Sequence, residues 1–143
     1  FSAPGGRVFI TRGLYQILPN DDELAGVLAH EIIHIDQRHA VNSIAHNEML
    51  GGFTGLLADN SGAFGQFAQV VDAVADEILV TGYDPDTEFE ADAGGRDLAD
   101  VTGFAPGGLR AALILISTVN VQQQEVLTTH PPIAQRLERL PDE

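Results

Sequence analysis

The segment His30-Glu31-Ile32-Ile33-His34 constrains the fold of this chain more than any other part of its sequence. In an α-helix each residue advances about 100°, so residues four apart lie about 40° around the axis and one turn along. His30 and His34 therefore share one helix face, and Glu31 projects beside them. Two imidazoles at this HExxH spacing can bind one zinc ion, and the carboxylate can reach a water on that ion without being a ligand.

The residues around this segment carry the signals of a long helix. Asn20 is a good N-cap residue, and Glu23 follows it at the spacing of a capping box. Acidic residues in the first turn also suit the helix dipole. Apolar residues recur at i, i+3 and i+4 spacing, namely Leu24, Val27, Leu28, Ile32 and Ile35. We expect one helix from about Asp21 to about His46.

A zinc site of this kind needs a third protein ligand and an open position for water. The chain has no cysteine, so only histidine and carboxylate side chains can supply that ligand. His39 does not fit the metzincin pattern HExxHxxGxxH, which would require glycine and histidine where the chain has Gln37 and Ala40. On a continuous helix His39 also lies about 180° from His30. We therefore expect His39 at the surface or behind the ligands.

Two carboxylates further along the chain are better candidates. The turn Tyr83-Asp84-Pro85-Asp86 predicts the start of a helix that ends near Gly103, and Glu88 and Asp92 share one face of it. One of them can bind the metal while the other hydrogen-bonds the outer nitrogen of a ligand histidine and fixes its tautomer. The alternative is that both are merely acids favoured near a helix start.

The rest of the sequence indicates the fold class. A β-branched run at 7–11 predicts a short strand, and apolar spacing predicts helices at 109–119 and 133–140, the first of them largely buried. The length supports a single domain, 1–143. Because the chain opens at Phe1 without a targeting signal, we interpret it as trimmed at its N-terminus. We expect an α+β, mainly helical domain with a small edge sheet.

The charge of the chain argues against several classes of partner. Its 21 Asp and Glu residues outnumber its 7 Lys and Arg residues and give a formal net charge of −14. A field of this sign repels phosphate backbones and anionic lipid headgroups, so we expect no nucleic-acid binding and no direct binding to a membrane surface. No stretch offers about 20 uninterrupted apolar residues, so we expect no transmembrane segment. The sequence does not indicate an oligomeric state.

Four segments, in order, resemble the gluzincin peptidases that include the CAAX prenyl endopeptidases, the heat-shock protease HtpX and soluble periplasmic metallopeptidases. These segments are residues 4–14, residues 22–34 closed by Arg38-His39, residues 88–92 (E-F-E-A-D), and Thr129-His130-Pro131-Pro132 with Arg136. The resemblance covers nearly the whole chain. It implies a zincin-like metallopeptidase domain that holds one zinc ion per chain.

The resemblance also implies roles for individual residues. The implied zinc ligands are His30, His34 and Glu88, and the implied partner of a ligand histidine is Asp92. The implied catalytic groups are Glu31 as general base, His130 at the transition state and Arg136 in support of the same site. For Arg136 an alternative is a salt bridge to Glu138 or Asp92.

The predicted function is that of a zinc-dependent endopeptidase acting on peptides or unfolded proteins. The resemblance implies a bacterial cell-envelope location, periplasmic or membrane-associated, and a part in protein quality control. One alternative is a zinc-structured binding or chaperone-like domain whose site is plugged by the glycine-rich stretch 49–82. That stretch can equally form a helical hairpin in the core. A zinc aminopeptidase is a second alternative, although no acidic anchor for a free amine is visible.

Overall fold

The structure is a computed structural model that describes residues 1–3, 6–43, 82–120 and 133–141. It contains two strands and five principal helices: β1 (Ser2–Ala3), β2 (Arg7–Val8), α1 (Arg12–Ile17), α2 (Asp21–Asp36), α3 (Pro85–Val101), α4 (Gly108–Asn120) and α5 (Ile133–Arg139). A further helical stretch covers 39–43. This is the mainly helical α+β architecture with a small sheet that the sequence predicts. The predicted features of 49–81 and of 129–132 lie outside the described residues.

The two strands form a small antiparallel sheet that packs on α2. Ser2 lies opposite Val8, and the amide of Phe9 donates a hydrogen bond of 2.9 Å to the carbonyl of Phe1. β2 is shorter than the predicted strand at 7–11 because Thr11 caps a helix instead of continuing the strand. Its Oγ1 accepts a hydrogen bond of 3.1 Å from the backbone N–H of Leu14, which begins α1, a helix that we did not predict.

Helix α2 begins where its capping signal predicts. The side chain of Asn20 accepts hydrogen bonds from the backbone N–H groups of Asp22 and Glu23, at 2.9 and 3.5 Å. The predicted end near His46 is wrong, because α2 stops at Asp36. The next turn contains Arg38 in the left-handed region, with φ of 57°, and this conformation redirects the chain before the helical stretch at 39–43.

Two glycines let α2 approach its neighbours closely. A Cβ atom on Gly26 would clash with the backbone of Leu109, so this glycine allows the start of α4 to lie against α2. A Cβ atom on Gly95 would lie 2.8 Å from the backbone nitrogen of His30. Helix α3 therefore contacts α2 at the residue that begins the HExxH motif.

The hydrophobic core lies between α2, α4 and the chain after α5. Its buried members are Val27, Leu109, Ala112, Leu113 and Leu140. The predicted apolar helix buries only one face, since Ile114 and Val119 are about two-fifths exposed. Ile32, from the predicted stripe of α2, is exposed as well. In the described part of the chain, no helix is both long and apolar enough to cross a membrane.

Candidate metal centre

His30, His34 and Glu88 converge at one buried point between α2 and α3. The Nε2 atoms of the two histidines lie 3.0 Å apart. Glu88 places Oε2 at 3.5 Å from Nε2 of His30 and Oε1 at 3.6 Å from Nε2 of His34. All three side chains are buried, and Glu88 is completely so. Among the residues that the structure describes, these form the group suited to holding a metal ion.

The spacing and chemistry of these donors fit zinc. Ligands held at about 2.0–2.1 Å from a tetrahedral ion lie about 3.3–3.4 Å from one another. The separations of 3.0, 3.5 and 3.6 Å between the donor atoms are close to that value. Two imidazole nitrogens and one carboxylate form the usual ligand set of a zinc site that keeps a position for water.

The charge of the buried groups favours a cation at this point. Within the described ranges the buried acids are Glu31, Glu88 and Asp92, and the buried base is Arg136. Burying unbalanced carboxylates is costly, and one arginine does not neutralise three of them. A divalent ion would supply the missing positive charge.

Asp92 contacts Nδ1 of His30, on the side of the ring away from the candidate donor atom Nε2. Its Oδ1 lies 3.0 Å from Nδ1 of His30, a contact that favours the tautomer with the proton on Nδ1 and the lone pair on Nε2, the atom that faces His34 and Glu88. Burial raises the pKa of Asp92, but hydrogen bonds from His30 and Arg136 and the positive charge of Arg136 outweigh it. The pKa of Asp92 therefore lies below its ordinary value, and the group is anionic at neutral pH.

Arg136 reaches this centre from α5. Its Nε and Nη2 atoms donate to the two carboxylate oxygens of Asp92, and its Nη1 lies 3.5 Å from Oε2 of Glu88. Of the two salt-bridge partners considered from the sequence, the structure shows Asp92. Helix α5 is itself held against α3, since the guanidinium of Arg139 lies 3.8 Å from the centre of the Phe89 ring.

Glu31 and Tyr83 lie beside the metal donors. Glu31 is buried on α2 next to His30. Tyr83, which has no pattern in the sequence to mark it, stacks on the ring of His34 with centroids 4.4 Å apart and planes 17° apart. Burial and then the negative charges of Glu31 and Glu88 raise the pKa of Tyr83 to about 12. The phenol therefore remains protonated at neutral pH.

His39 is nearer the centre than the periodicity of α2 suggests. It is buried, and its Nδ1 lies 2.9 Å from Nδ1 of His34. The break at Arg38 brings it there, and the sequence gives no glycine to signal that break. His130 lies outside the described residues, so its predicted place at the site stays a prediction.

Comparison with known proteins identifies the family of the chain. The family described as Peptidase family M48 matches residues 1–143. The mitochondrial metalloendopeptidase OMA1 of Schizosaccharomyces pombe is 27% identical over 98% of this chain and 42% of its own length. The beta-barrel assembly-enhancing protease of Escherichia coli is 27% identical over 96% of the chain and 30% of its own length. The protease HtpX of Legionella pneumophila is 28% identical over 89% of the chain and 50% of its own length.

These relatives are longer proteins, and the chain spans half of their length or less. No solved structure matches the chain. The family match nevertheless extends over every described element, including the helices that carry His30, His34 and Glu88. It also agrees with the resemblance inferred from the motifs. The chain belongs to peptidase family M48.

Proposed function

We propose that residues 1–143 form a single catalytic domain of a zinc-dependent endopeptidase. The main observation in support of this proposal is that His30, His34 and Glu88 converge at one buried point. Membership of a peptidase family supports the reaction class, and the names of the relatives describe proteases.

In this proposal Nε2 of His30, Nε2 of His34 and the carboxylate of Glu88 hold one zinc ion. Bound zinc lowers the pKa of water and polarises a scissile carbonyl. Asp92 fixes the tautomer of His30, as their contact of 3.0 Å supports. The contacts of Arg136 favour a role in holding the carboxylates of Asp92 and Glu88, through which it supports the site.

Glu31 is the proposed general base. Its place immediately after His30 on α2 puts a carboxylate beside the metal donors without making it one of them. It accepts a proton from the attacking water and delivers it to the leaving amine. For the oxyanion that forms on the carbonyl we propose His130 as a donor, from the resemblance of its motif alone.

The proposed substrates are unfolded or misassembled proteins. In the described part of the chain β2 pairs with β1 alone, which leaves its other edge able to bind an extended peptide by backbone hydrogen bonds. Such pairing selects segments that are not already folded. The name of one relative connects that protein with β-barrel assembly, which agrees with a quality-control role. We propose a location in the bacterial cell envelope from the resemblance of the motifs.

Hydrolysis of casein by the full chain tests the function. We expect cleavage that a chelator abolishes and that zinc restores, and we expect Glu31→Gln to lose cleavage by about 100-fold or more while its zinc content is unchanged. Casein carrying a blocked N-terminus should be cut equally well, which separates an endopeptidase from an aminopeptidase. Zinc bound by the parent without chelator-sensitive cleavage would favour a binding domain instead.

A further inference from the structure

We propose that His39 is a positioning residue that fixes the tautomer and the ring orientation of His34. The inference rests on the proposed function, because it assumes that His34 binds zinc. The ring of His34 presents Nε2 towards His30 and Glu88, and it presents Nδ1 towards Nδ1 of His39 at 2.9 Å. His39 is therefore placed on His34 as Asp92 is placed on His30.

A hydrogen bond between Nδ1 of His34 and Nδ1 of His39 is compatible with metal binding through Nε2 of His34 in only one arrangement of the protons. A neutral imidazole that coordinates through Nε2 carries its proton on Nδ1. His34 must then donate to Nδ1 of His39, and the proton of His39 must be on Nε2. A single choice of tautomer on His39 thus determines the tautomer of His34.

The surroundings of His39 suit that arrangement. Its Nε2 is buried without a hydrogen-bond partner among residues 1–3, 6–43, 82–120 and 133–141, and Oε2 of Glu90 lies 3.6 Å away. That separation is longer than a direct hydrogen bond. The side chain of Glu90 is 61% exposed and able to adjust, so its carboxylate can accept a hydrogen bond from Nε2–H of His39. A carboxylate on this side favours the tautomer of His39 that accepts from His34.

Tyr83 and His39 restrain different properties of the same ring. Stacking on Tyr83 fixes the plane of the His34 imidazole. Stacking alone does not distinguish the ring from one rotated by 180°, in which a carbon would replace Nε2 at the metal. The hydrogen bond to His39 does distinguish the two orientations, because only one of them places Nδ1 against Nδ1.

The break in the helix makes this contact possible. On a continuous helix His39 would lie about 140° from His34 and would point away from it. The left-handed conformation of Arg38 turns the chain back, and His39 returns to the buried side of α2. The end of α2 therefore serves the site as well as the fold.

Zinc affinity of the full chain, measured by competition with a chelator, tests the inference. The Oδ1 atom of asparagine can replace Nδ1 of histidine, whereas the amide of glutamine reaches the position of Nε2. We expect His39→Asn to bind zinc within about threefold of the parent and His39→Gln to bind about 10–100-fold more weakly. His39→Leu should resemble His39→Gln.

The asparagine and glutamine variants form the matched pair, since both keep a polar amide at a buried position. If His39→Leu does not fold, this pair still decides the matter. Equal zinc affinity of His39→Gln and the parent would overturn the role of His39. In ¹⁵N NMR spectra of the zinc-bound parent we expect the proton of His34 on Nδ1, and finding it on Nε2 would also overturn the inference. A parent that binds no zinc would instead overturn the proposed function itself.

Discussion

Arg136 donates two hydrogen bonds to the carboxylate of Asp92, from Nε at 2.9 Å and from Nη2 at 2.5 Å, with both side chains almost fully buried. A bidentate pair of this kind fixes the carboxylate in orientation as well as in charge. Because the same carboxylate accepts a hydrogen bond from Nδ1–H of His30, the arginine of α5 helps to determine how a proposed zinc ligand of α2 is held.

Removal of that arginine should destabilise the domain. In Arg136→Leu the carboxylates of Asp92 and Glu88 lose their buried cation, and breaking a buried pair in this way costs about 3–5 kcal/mol. Urea unfolding in excess zinc measures the loss. Arg12→Gln, at an exposed position of α1, is the control and should change the free energy of unfolding by less than about 0.5 kcal/mol. Similar results for the two variants would contradict the structural role of Arg136.

Loss of the Glu88 carboxylate should weaken zinc binding more than loss of a residue that hydrogen-bonds a ligand, such as Asp92 or His39. Glu88→Gln removes the charge of the proposed ligand while keeping the size of the side chain. Loss of a residue that only hydrogen-bonds a ligand typically weakens metal binding by about 10–100-fold, and we expect Glu88→Gln to weaken zinc binding by more than that. The control is Glu138→Gln, an exposed residue of α5, which should leave the affinity unchanged. Zinc bound by Glu88→Gln as tightly as by the parent would exclude residue 88 as a ligand.

Two neighbouring glycines of α3 should respond differently to the same substitution. A Cβ at Gly95 would press on backbone atoms of His30, whereas the nearest atoms to a Cβ at Gly94 belong to the side chain of Ile33, at 3.1 Å. We expect Gly95→Ala to destabilise the domain by about 1–3 kcal/mol and to weaken zinc binding, because α3 must move away from α2. Gly94→Ala should be milder in both measurements, and the reverse order would contradict the close approach of the two helices.

The cap of α3 should give a small dependence of stability on pH. The side-chain hydrogen bond from Thr87, followed by backbone N–H bonds from Thr87 and Asp86, lowers the pKa of Asp84 below 3.8. A lowered carboxyl pKa stabilises the fold fully above the pKa of the unfolded chain, and this contribution is lost as pH falls through the folded value. Asp84→Ala should therefore cost about 0.5–2 kcal/mol at pH 6 and less at pH 3.

Asp84→Asn is the matched control for that experiment, since asparagine caps a helix but does not titrate in this range. Its free energy of unfolding, compared with that of the parent in urea, should differ by about 0.3–1 kcal/mol at pH 6 and by less at pH 3. A difference between parent and Asp84→Asn that stays constant from pH 6 to pH 3 would mean that the cap is not charge-assisted.

Local signals in the sequence predict the elements that carry the candidate metal donors. Asn20 and the acids after it marked the start of α2, and the turn before Asp86 marked the start of α3, because caps and turns are determined by residues within one helical turn. The spacing of the HExxH motif and of Glu88 with Asp92 placed the candidate ligands on two helix faces. The convergence of those faces is a tertiary property, and it became predictable only through the resemblance to a family.

The features that the sequence did not predict depend on contacts between distant residues. The end of α2 at Asp36 requires a left-handed arginine, a conformation without a residue signal of its own. The burial of His39 follows from that turn, and the position of Tyr83 follows from the packing of α3 against α2. The exposure of Ile32 has a similar cause, because the polar donors of α2 occupy the face that packs on α3.

The pairing of Arg136 with Asp92 has a consequence for damaged copies of the protein. Every proposed zinc ligand lies in α2 or α3, yet the cation that contacts the carboxylates of Glu88 and Asp92 arrives from α5. We expect a cut between α4 and α5, followed by loss of the released end, to weaken zinc binding, because Asp92 would lose the arginine that holds it against His30 even though every proposed ligand remains in the chain.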